Sequence, residues 1–212
     1  MNKEQVAATL DHAVLKPTAT MLDILDGAKI CNDYKVASFC VQPMYVAPAH
    51  IYCRVPICAV IGFPLGSNRT GIKALEARLA IEDGAKELDM VMNIGAFLSG
   101  SYSYVRQDIA VVVDEAKKKN VLVKVILETC YLTELEIAKA CKICEVVGAD
   151  YVKTSTGFGL GGATISDVNI MLNSCKLKVK ASGGIKTFDC AVAYLNEGCS
   201  RLGVSSTEAI LS

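Results

Sequence analysis

The sequence contains no tryptophan and only two histidines, and its 22 basic and 22 acidic residues cancel to no net charge. A catalytic zinc ion usually takes three protein ligands from histidine, glutamate or cysteine. His12 and His50 do not form such a set at helix or strand spacing, so we predict no metal. The absence of net charge gives no electrostatic reason to expect nucleic acid or an anionic membrane as a partner.

Long apolar runs are also absent, because no stretch approaches the ~20 uninterrupted residues that a membrane span needs. The first residues, Met1 to Gln5, are polar and lack the features of a signal peptide. We therefore expect a cytoplasmic protein whose ten cysteines are reduced thiols. Cys141 and Cys144 have the spacing of a redox pair, but they lie well inside a predicted helix, which favours a packing role.

The sequence is instead rich in short apolar runs that alternate with helical patterns. Continuous apolar runs are typical of parallel strands that helices cover. No linker or low-complexity segment interrupts the alternation. We predict an α/β fold with one domain over residues 1–212, a (β/α)8 TIM barrel, with an open doubly wound sheet as the alternative. The eight candidate strands are Leu10–Leu15, Ala37–Val41, Ile57–Ile61, Glu87–Met92, Leu122–Glu128, Tyr151–Thr154, Val179–Ser182 and Arg201–Ser205.

Two local patterns support the helices between these strands. Thr133 and Glu136 have the spacing of a capping box that opens a helix. Ile72, Leu75 and Leu79 recur at helical spacing and predict an amphipathic helix. The chain therefore alternates strand and helix as a barrel requires.

Four charged residues interrupt predicted strands that ought to be apolar: Asp89, Lys124, Lys153 and Lys180. Burying an unpaired charge costs several kcal/mol, although a lysine near a barrel rim can extend to solvent. Three lysines on consecutive strands, next to a strand with an aspartate, favour a functional cluster instead. An amine beside another cation loses its proton more readily, and a neutral lysine can attack a carbonyl carbon.

Glycine and serine follow the last three predicted strands, where barrels often bind phosphate. These residues are Gly157 after strand 6, Gly183 and Gly184 after strand 7, and Ser205 and Ser206 after strand 8. Glycines let backbone N–H groups approach an anion, although ordinary turns also use them. The spacing from Gly157 onward formally matches a dinucleotide fingerprint, but the acidic residue expected about 20 positions later is missing.

Five segments together resemble the deoxyribose-phosphate aldolase family, and they run in family order through nearly the whole chain. The segment around Lys153 is the most specific of them. The matching stretches are residues 10–12 (LDH) with 15–17 (LKP), 87–96 (ELDMVMNIGA), 124–129 (KVILET), 152–158 (VKTSTGF) and 179–185 (VKASGGI).

This resemblance implies a barrel enzyme that reversibly cleaves 2-deoxy-D-ribose 5-phosphate without a cofactor. Lys153 aligns with the lysine that forms the Schiff base, and Lys180 with the second lysine, which keeps the first unprotonated and relays protons. Asp89 aligns with the acid/base of the proton relay, and Lys124 with the lysine beside that aspartate. The phosphate-binding positions fall on residues 157, 183, 184, 205 and 206. The implied partners are a phosphosugar substrate and, in a homo-oligomer, further copies of the chain.

Two departures from the family pattern change the expectations. Residues 130–132 read Cys-Tyr-Leu where the family usually has Gly-Leu-Leu, so we expect a reshaped loop there. The sequence ends at Ser212, whereas some family members carry a tail tyrosine that assists proton transfer, so we expect slower enamine protonation.

The alternatives to an aldolase of this family are another Schiff-base lyase of transaldolase type and a phosphosugar-binding barrel without catalysis.

Overall fold

Eight parallel strands alternate with helices in the computed structural model, which describes residues 1–212. The strands are β1 (Leu10–Val14), β2 (Ser38–Val41), β3 (Ile57–Ile61), β4 (Glu87–Val91), β5 (Leu122–Ile126), β6 (Tyr151–Lys153), β7 (Lys178–Ser182) and β8 (Arg201–Val204). The helices are α1 (Lys3–Ala7), α2 (Met21–Tyr34), α3 (Val46–Tyr52), α4 (Thr70–Glu82), α5 (Ile94–Leu98), α6 (Tyr102–Lys117), α7 (Glu134–Val147), α8 (Ile165–Ser174), α9 (Phe188–Glu197) and α10 (Thr207–Leu211).

The strands pair in chain order and close into a barrel, because β8 pairs with β1. The closing register places Asp11 beside Gly203, and all the pairings are parallel. The predicted (β/α)8 barrel is therefore confirmed, and the open sheet is excluded. All eight predicted strands exist, with ends that differ from the predicted ends by at most two residues.

Alternate residues of each strand point to opposite sides of the barrel wall. In β4, Leu88 and Met90 belong to the apolar core between the wall and the helices. Glu87 and Asp89 lie on the other side, inside the barrel, and both are buried. The main hydrophobic core is thus a shell around the barrel, whereas the interior contains the charged residues and a small apolar cluster of Cys40, Cys58 and Val60.

The predicted capping box of α7 is present, with the Thr133 hydroxyl and the Glu136 carboxylate each bonded to the other's backbone N–H. Gly148 ends this helix with φ 76°, a left-handed conformation that favours glycine. Cys141 and Cys144 are fully buried in the core, as the packing interpretation predicts. These contacts fix α7 between β5 and β6, which carry two of the predicted lysines.

The helix predicted from Ile72, Leu75 and Leu79 is present as α4, but these three apolar residues face outward. Ile72, Leu75 and Leu79 are exposed, whereas the side turned to the barrel is formed by small or paired residues, including Ala77 and Ala80. Helical spacing identifies an apolar face but does not say what that face packs against.

None of the helices in the structure has the length and apolar character needed to cross a bilayer.

Candidate active site

The four charged residues predicted from β4 to β7 meet inside the barrel around one carboxylate. Asp89 Oδ2 accepts hydrogen bonds from Lys153 Nζ at 2.7 Å and from Lys180 Nζ at 2.8 Å. Asp89 Oδ1 accepts from Lys124 Nζ at 2.8 Å and from the Cys58 thiol at 3.1 Å. Strand register explains the meeting, because Asp89 pairs with Lys124 across β4–β5, and Lys153 pairs with Lys180 across β6–β7. We call Asp89 and the three lysines the lysine cluster.

Three further charged residues continue the network deeper in the barrel. Asp11 on β1 accepts from Lys180 Nζ and from Arg201 on β8. Glu87 at the start of β4 binds Lys124 Nζ at 2.7 Å and Arg201 Nη2 at 2.7 Å. Gly203 leaves room for this packing, because a Cβ there would lie only 3.2 Å from Lys180 Cε. Each of the three carboxylates inside the barrel is therefore held by at least two cations.

These contacts set the ionisation of the buried groups. Burial alone would raise the pKa of Asp89, but the positive charges of the three lysines hold it well below its usual value. Burial likewise opposes ionisation of Asp11, yet Lys180 and the other cations lower its pKa to about 2. Burial would lower the pKa of Lys180, but Asp11 and Asp89 raise it, and Lys124 is raised in the same way. Lys124 and Lys180 are thus fixed as cations at neutral pH.

The interior contains three carboxylates and four cationic side chains, so its charges balance when one of the four is neutral. Lys153 differs from the other three because it contacts a single carboxylate, whereas the others contact two or three. It is also the last residue of β6, at the carboxyl end of the barrel, where TIM-barrel active sites lie. Lys153 is therefore the amine with the fewest carboxylate partners and the one that lies at the end of its strand.

The predicted phosphate loops lie side by side at this same end of the barrel, because they follow the neighbouring strands β6, β7 and β8. Gly157, Gly183 and Gly184 have φ values of 86°, 89° and 85°, which a side chain would strain. Gly183 also lies against Gly162 of the preceding loop, so close that a Cβ on Gly183 would come within 2.8 Å of the Gly162 Cα. The loops after β6 and β7 therefore need glycine for packing as well as for backbone conformation.

Two serines follow β8, of which Ser205 is exposed and Ser206 is half-buried. Thr207, the next residue, is anchored by a 2.8 Å hydrogen bond to the buried ring of His12. His12 lies on β1, and its ring stacks on Phe39 with 6.0 Å between ring centroids. This histidine thus ties the β8 loop to the barrel wall.

One group of side chains could in principle offer a metal three ligand atoms, namely Cys40, Cys58 and Asp89, whose atoms lie within 4.8 Å of one another. Sequence spacing did not reveal this group, because its members come from three strands. Both Asp89 oxygens already bind ammonium groups, whose positive charge disfavours a divalent cation there.

Sequence reasoning missed the inner half of the network, namely Asp11, Glu87 and Arg201. Asp11 interrupts a predicted strand, so a signal for it was available in the sequence, whereas Glu87 and Arg201 stand at the starts of their strands, where a charge is ordinary. It also missed Ser155, whose hydroxyl is buried without a hydrogen-bond partner two residues after Lys153. The changed loop after β5 forms a short 3-10 helix at Thr129–Tyr131 and places Cys130 against Gly159 and Gly161 of the β6 loop.

The chain is by its fold a (β/α)8 barrel, and its charged interior reaches the carboxyl ends of the strands. The family model described as DeoC/LacD family aldolase matches residues 5–210. The deoxyribose-phosphate aldolase of Carboxydothermus hydrogenoformans is 47% identical and covers 100% of this chain and 96% of its own length. That of Thermococcus gammatolerans is 49% identical, with coverage of 95% and 92%.

Solved structures agree with these sequence relatives. A structure described as QR15, an aldolase, superimposes with a TM-score of 0.94 at 40% identity, covering 97% of this chain and 94% of its own. The tetrameric deoxyribose phosphate aldolase of Aeropyrum pernix superimposes with a TM-score of 0.92 at 32% identity, with coverage of 99% and 91%. The chain belongs to the DeoC/LacD aldolase family.

Proposed function

We propose that this protein is a class I aldolase that reversibly cleaves 2-deoxy-D-ribose 5-phosphate into D-glyceraldehyde 3-phosphate and acetaldehyde. The observation that carries the proposal is the position of Lys153, at the catalytic end of the barrel and hydrogen-bonded to Asp89 beside a second lysine. The names of the relatives supply the substrate, and the lysine cluster supplies a means to form a Schiff base.

The reaction begins with the neutral amine of Lys153. It adds to the C1 aldehyde of the open-chain sugar, and loss of water gives an iminium ion that links the substrate to the enzyme. Lys180 supports this step by remaining positively charged nearby, which disfavours a second positive charge on Lys153. Asp89 positions the two amines beside each other by accepting a hydrogen bond from each.

Cleavage follows when the C3 hydroxyl loses its proton, through a water molecule held by Asp89 and Lys180. The C3–O electrons form the new carbonyl of glyceraldehyde 3-phosphate, and the C2–C3 bond electrons move into the iminium to give an enamine. Protonation of the enamine at C2 and hydrolysis then release acetaldehyde and restore the lysine. Lys124 contributes by orienting the Asp89 carboxylate from its other oxygen.

The phosphate of the substrate is assigned to the loops after β6, β7 and β8. Backbone N–H groups near the three positive-φ glycines and the hydroxyls of Ser205 and Ser206 are the donors. Donors of this kind bind an anion through charge-assisted hydrogen bonds. The barrel would thus hold the phosphate end of the sugar at these loops and its aldehyde end at Lys153.

Product analysis distinguishes this function from its rivals. Incubation with deoxyribose 5-phosphate should release free acetaldehyde in amounts equal to glyceraldehyde 3-phosphate. Transfer of a three-carbon unit to an acceptor aldehyde would instead support a transaldolase-type lyase. Absence of any product, together with no borohydride-stable adduct, would support a phosphosugar-binding barrel without catalysis.

We also propose where the enzyme acts and that it self-associates. The enzyme acts in the cytoplasm, which is supported by its ten free cysteines, none of which forms a disulfide. It also self-associates, which is supported by the tetrameric assembly of the Aeropyrum pernix enzyme at 32% identity. Sedimentation of the full chain at several concentrations tests the second feature independently of activity.

A further inference from the structure

Glu128 follows β5 in a backbone conformation that residues with a side chain rarely adopt. Its φ of 56° and ψ of 64° are left-handed. Only 2% of the residue is exposed, and its hydrogen bonds run to Thr156 and not to the lysine cluster. A strained, buried residue persists only where its surroundings hold it, and such residues gather at functional sites. The contacts of Glu128 therefore indicate a role that the mechanism above does not use.

The Glu128 carboxylate holds the start of the segment between β6 and α8, residues 154–164, which is the β6 loop. Its Oε1 accepts the backbone N–H of Thr156 at 3.1 Å, and its Oε2 accepts the Thr156 hydroxyl. Because this hydroxyl donates to the carboxylate, its oxygen is available to accept the Phe158 N–H, at 3.0 Å. These bonds enclose Gly157 and hold its φ of 86°.

The rest of the β6 loop is held by the same turn after β5. A Cβ on Gly159 would come within 3.2 Å of Glu128 Oε1, so the loop folds back over the carboxylate. The next residue, Thr129, donates its N–H to the carbonyl oxygen of Thr154 at 3.0 Å. Its hydroxyl donates to Asp167 of α8 at 2.9 Å. Two consecutive residues thus hold both ends of the β6 loop.

We propose that Glu128 is a positioning residue that gives the β6 loop its phosphate-binding shape. The inference rests on the proposed function, because it concerns the phosphate end of the same substrate. The carboxylate is occupied by Thr156 and would repel an anion, so Glu128 acts through the loop and does not touch the phosphate. Its loss should weaken recognition of the phosphate group more than the chemistry at Lys153.

Glu128→Gln tests this role because it keeps the size of the side chain. Both carboxylate oxygens lie within 3.2 Å of Thr156 N, so either orientation of the new amide turns an NH2 donor toward this N–H donor. The loop should then lose its anchor. The electrostatic effect has the opposite sign, because removal of a negative charge near the site favours an anion. Weaker phosphate recognition in Glu128→Gln therefore reports on the position of the loop and not on charge.

Kinetics with two sugars separate loop position from chemistry. The kcat/KM for deoxyribose 5-phosphate should fall at least about tenfold in Glu128→Gln, mainly through a higher KM. The kcat/KM for unphosphorylated deoxyribose should stay within about threefold of the parent value. A merely structural role would reduce stability without changing the ratio of the two values.

Thr156→Val is a second variant that addresses the same link. It removes the hydroxyl between the carboxylate and the Phe158 N–H but keeps the bond from the Thr156 backbone N–H to Glu128. It should lower the same ratio, and it decides the question if Glu128→Gln does not fold.

Glu76→Gln is the matched control. Glu76 on α4 likewise accepts a backbone N–H from a loop at the carboxyl end of the barrel, that of Gly62 after β3, at 2.7 Å. The loop after β3 has no part in the phosphate assignment. The ratio of kcat/KM values for the two sugars should therefore equal that of the parent, and circular dichroism should show that the variants are folded.

Isothermal titration calorimetry with inorganic phosphate measures the same loop without the reaction. Glu128→Gln should bind phosphate at least about tenfold more weakly than the parent. If the parent cleaves neither sugar but Glu128→Gln still weakens phosphate binding, the proposed function fails and the positioning role stands. Equal phosphate affinity and an equal sugar ratio in parent and Glu128→Gln would refute the positioning role alone. A parent that neither binds phosphate nor prefers the phosphorylated sugar would refute the phosphate assignment and this inference together.

Discussion

Replacement of Lys180 by leucine tests how the lysine cluster prepares Lys153 for attack. In the structure Lys180 is buried between Asp11 and Asp89 and remains a cation, since both carboxylates raise its pKa. Removing it leaves three carboxylates facing three cationic side chains. The interior charges then balance with Lys153 protonated, whereas in the parent protein they balance with Lys153 neutral.

The size of the effect follows from the geometry. Lys153 Nζ and Lys180 Nζ lie 2.7 and 2.8 Å from the same Asp89 oxygen, so they are no farther apart than the sum of these distances. Two unit charges about 5 Å apart at an effective dielectric constant of about 20 repel by about 3 kcal/mol. Loss of this repulsion should lower the ratio of neutral to protonated Lys153 roughly 100-fold at neutral pH.

The assay is the rate of borohydride trapping of deoxyribose 5-phosphate, measured as a function of pH. Lys180→Leu should trap substrate roughly 100-fold more slowly than the parent at pH 7, and its rate should recover as the pH approaches the ordinary lysine value of about 10.4. Turnover should remain low throughout, because Lys180 also takes part in proton transfer.

Lys73→Leu is the matched control. Lys73 is likewise fully buried and pairs with Asp108 at 2.6 Å, but it lies on α4, outside the barrel. Its loss should reduce stability while leaving the pH dependence of trapping unchanged. Trapping by Lys180→Leu at pH 7 as fast as by the parent would refute the reasoning and confine Lys180 to proton transfer or substrate contact.

Three further predictions test other parts of the account. Unphosphorylated deoxyribose should have a kcat/KM lower by orders of magnitude, because each lost charge-assisted hydrogen bond removes ~1.5–3 kcal/mol; equal kcat/KM for both sugars would contradict the phosphate assignment. Activity should survive exhaustive chelation; a loss with EDTA that zinc or cobalt reverses would contradict a lysine mechanism. Burial lowers the pKa of His12 to about 4. Between pH 6.5 and 4 the unfolded chain therefore binds a proton on this ring that the folded chain does not bind. The free energy of unfolding should fall by about 3 kcal/mol over this range. Urea unfolding of His12→Asn should lack this component of the pH dependence, and an unchanged pH dependence would contradict it.

The barrel could be predicted from the sequence because its strands are short apolar runs at regular intervals. Their side chains contact both the helices and one another, so the runs stand out from the amphipathic helices. The ends of the strands were less certain, as β5 shows: the predicted strand continued to Glu128, but the strand ends at Ile126 and Glu128 adopts a left-handed φ of 56°. Local turn geometry of this kind leaves no apolar signal.

The outer half of the charged network could also be predicted, because Asp89 and Lys124 interrupt runs that are otherwise apolar. Glu87 and Arg201 instead begin their strands, where a charge is ordinary and carries no signal. Only closure of the barrel shows that these side chains point inward and meet. For the same reason the spacing of Ile72, Leu75 and Leu79 could identify a helix face but not its direction.

Mass spectrometry of the borohydride-reduced adduct tests the central claim most directly. The protein is incubated with deoxyribose 5-phosphate, reduced, digested and sequenced to locate the modified lysine. The account predicts a secondary amine on Lys153 and none in Lys153→Ala. Modification of Lys180 or Lys124 in place of Lys153, or an adduct that persists in Lys153→Ala, would contradict it.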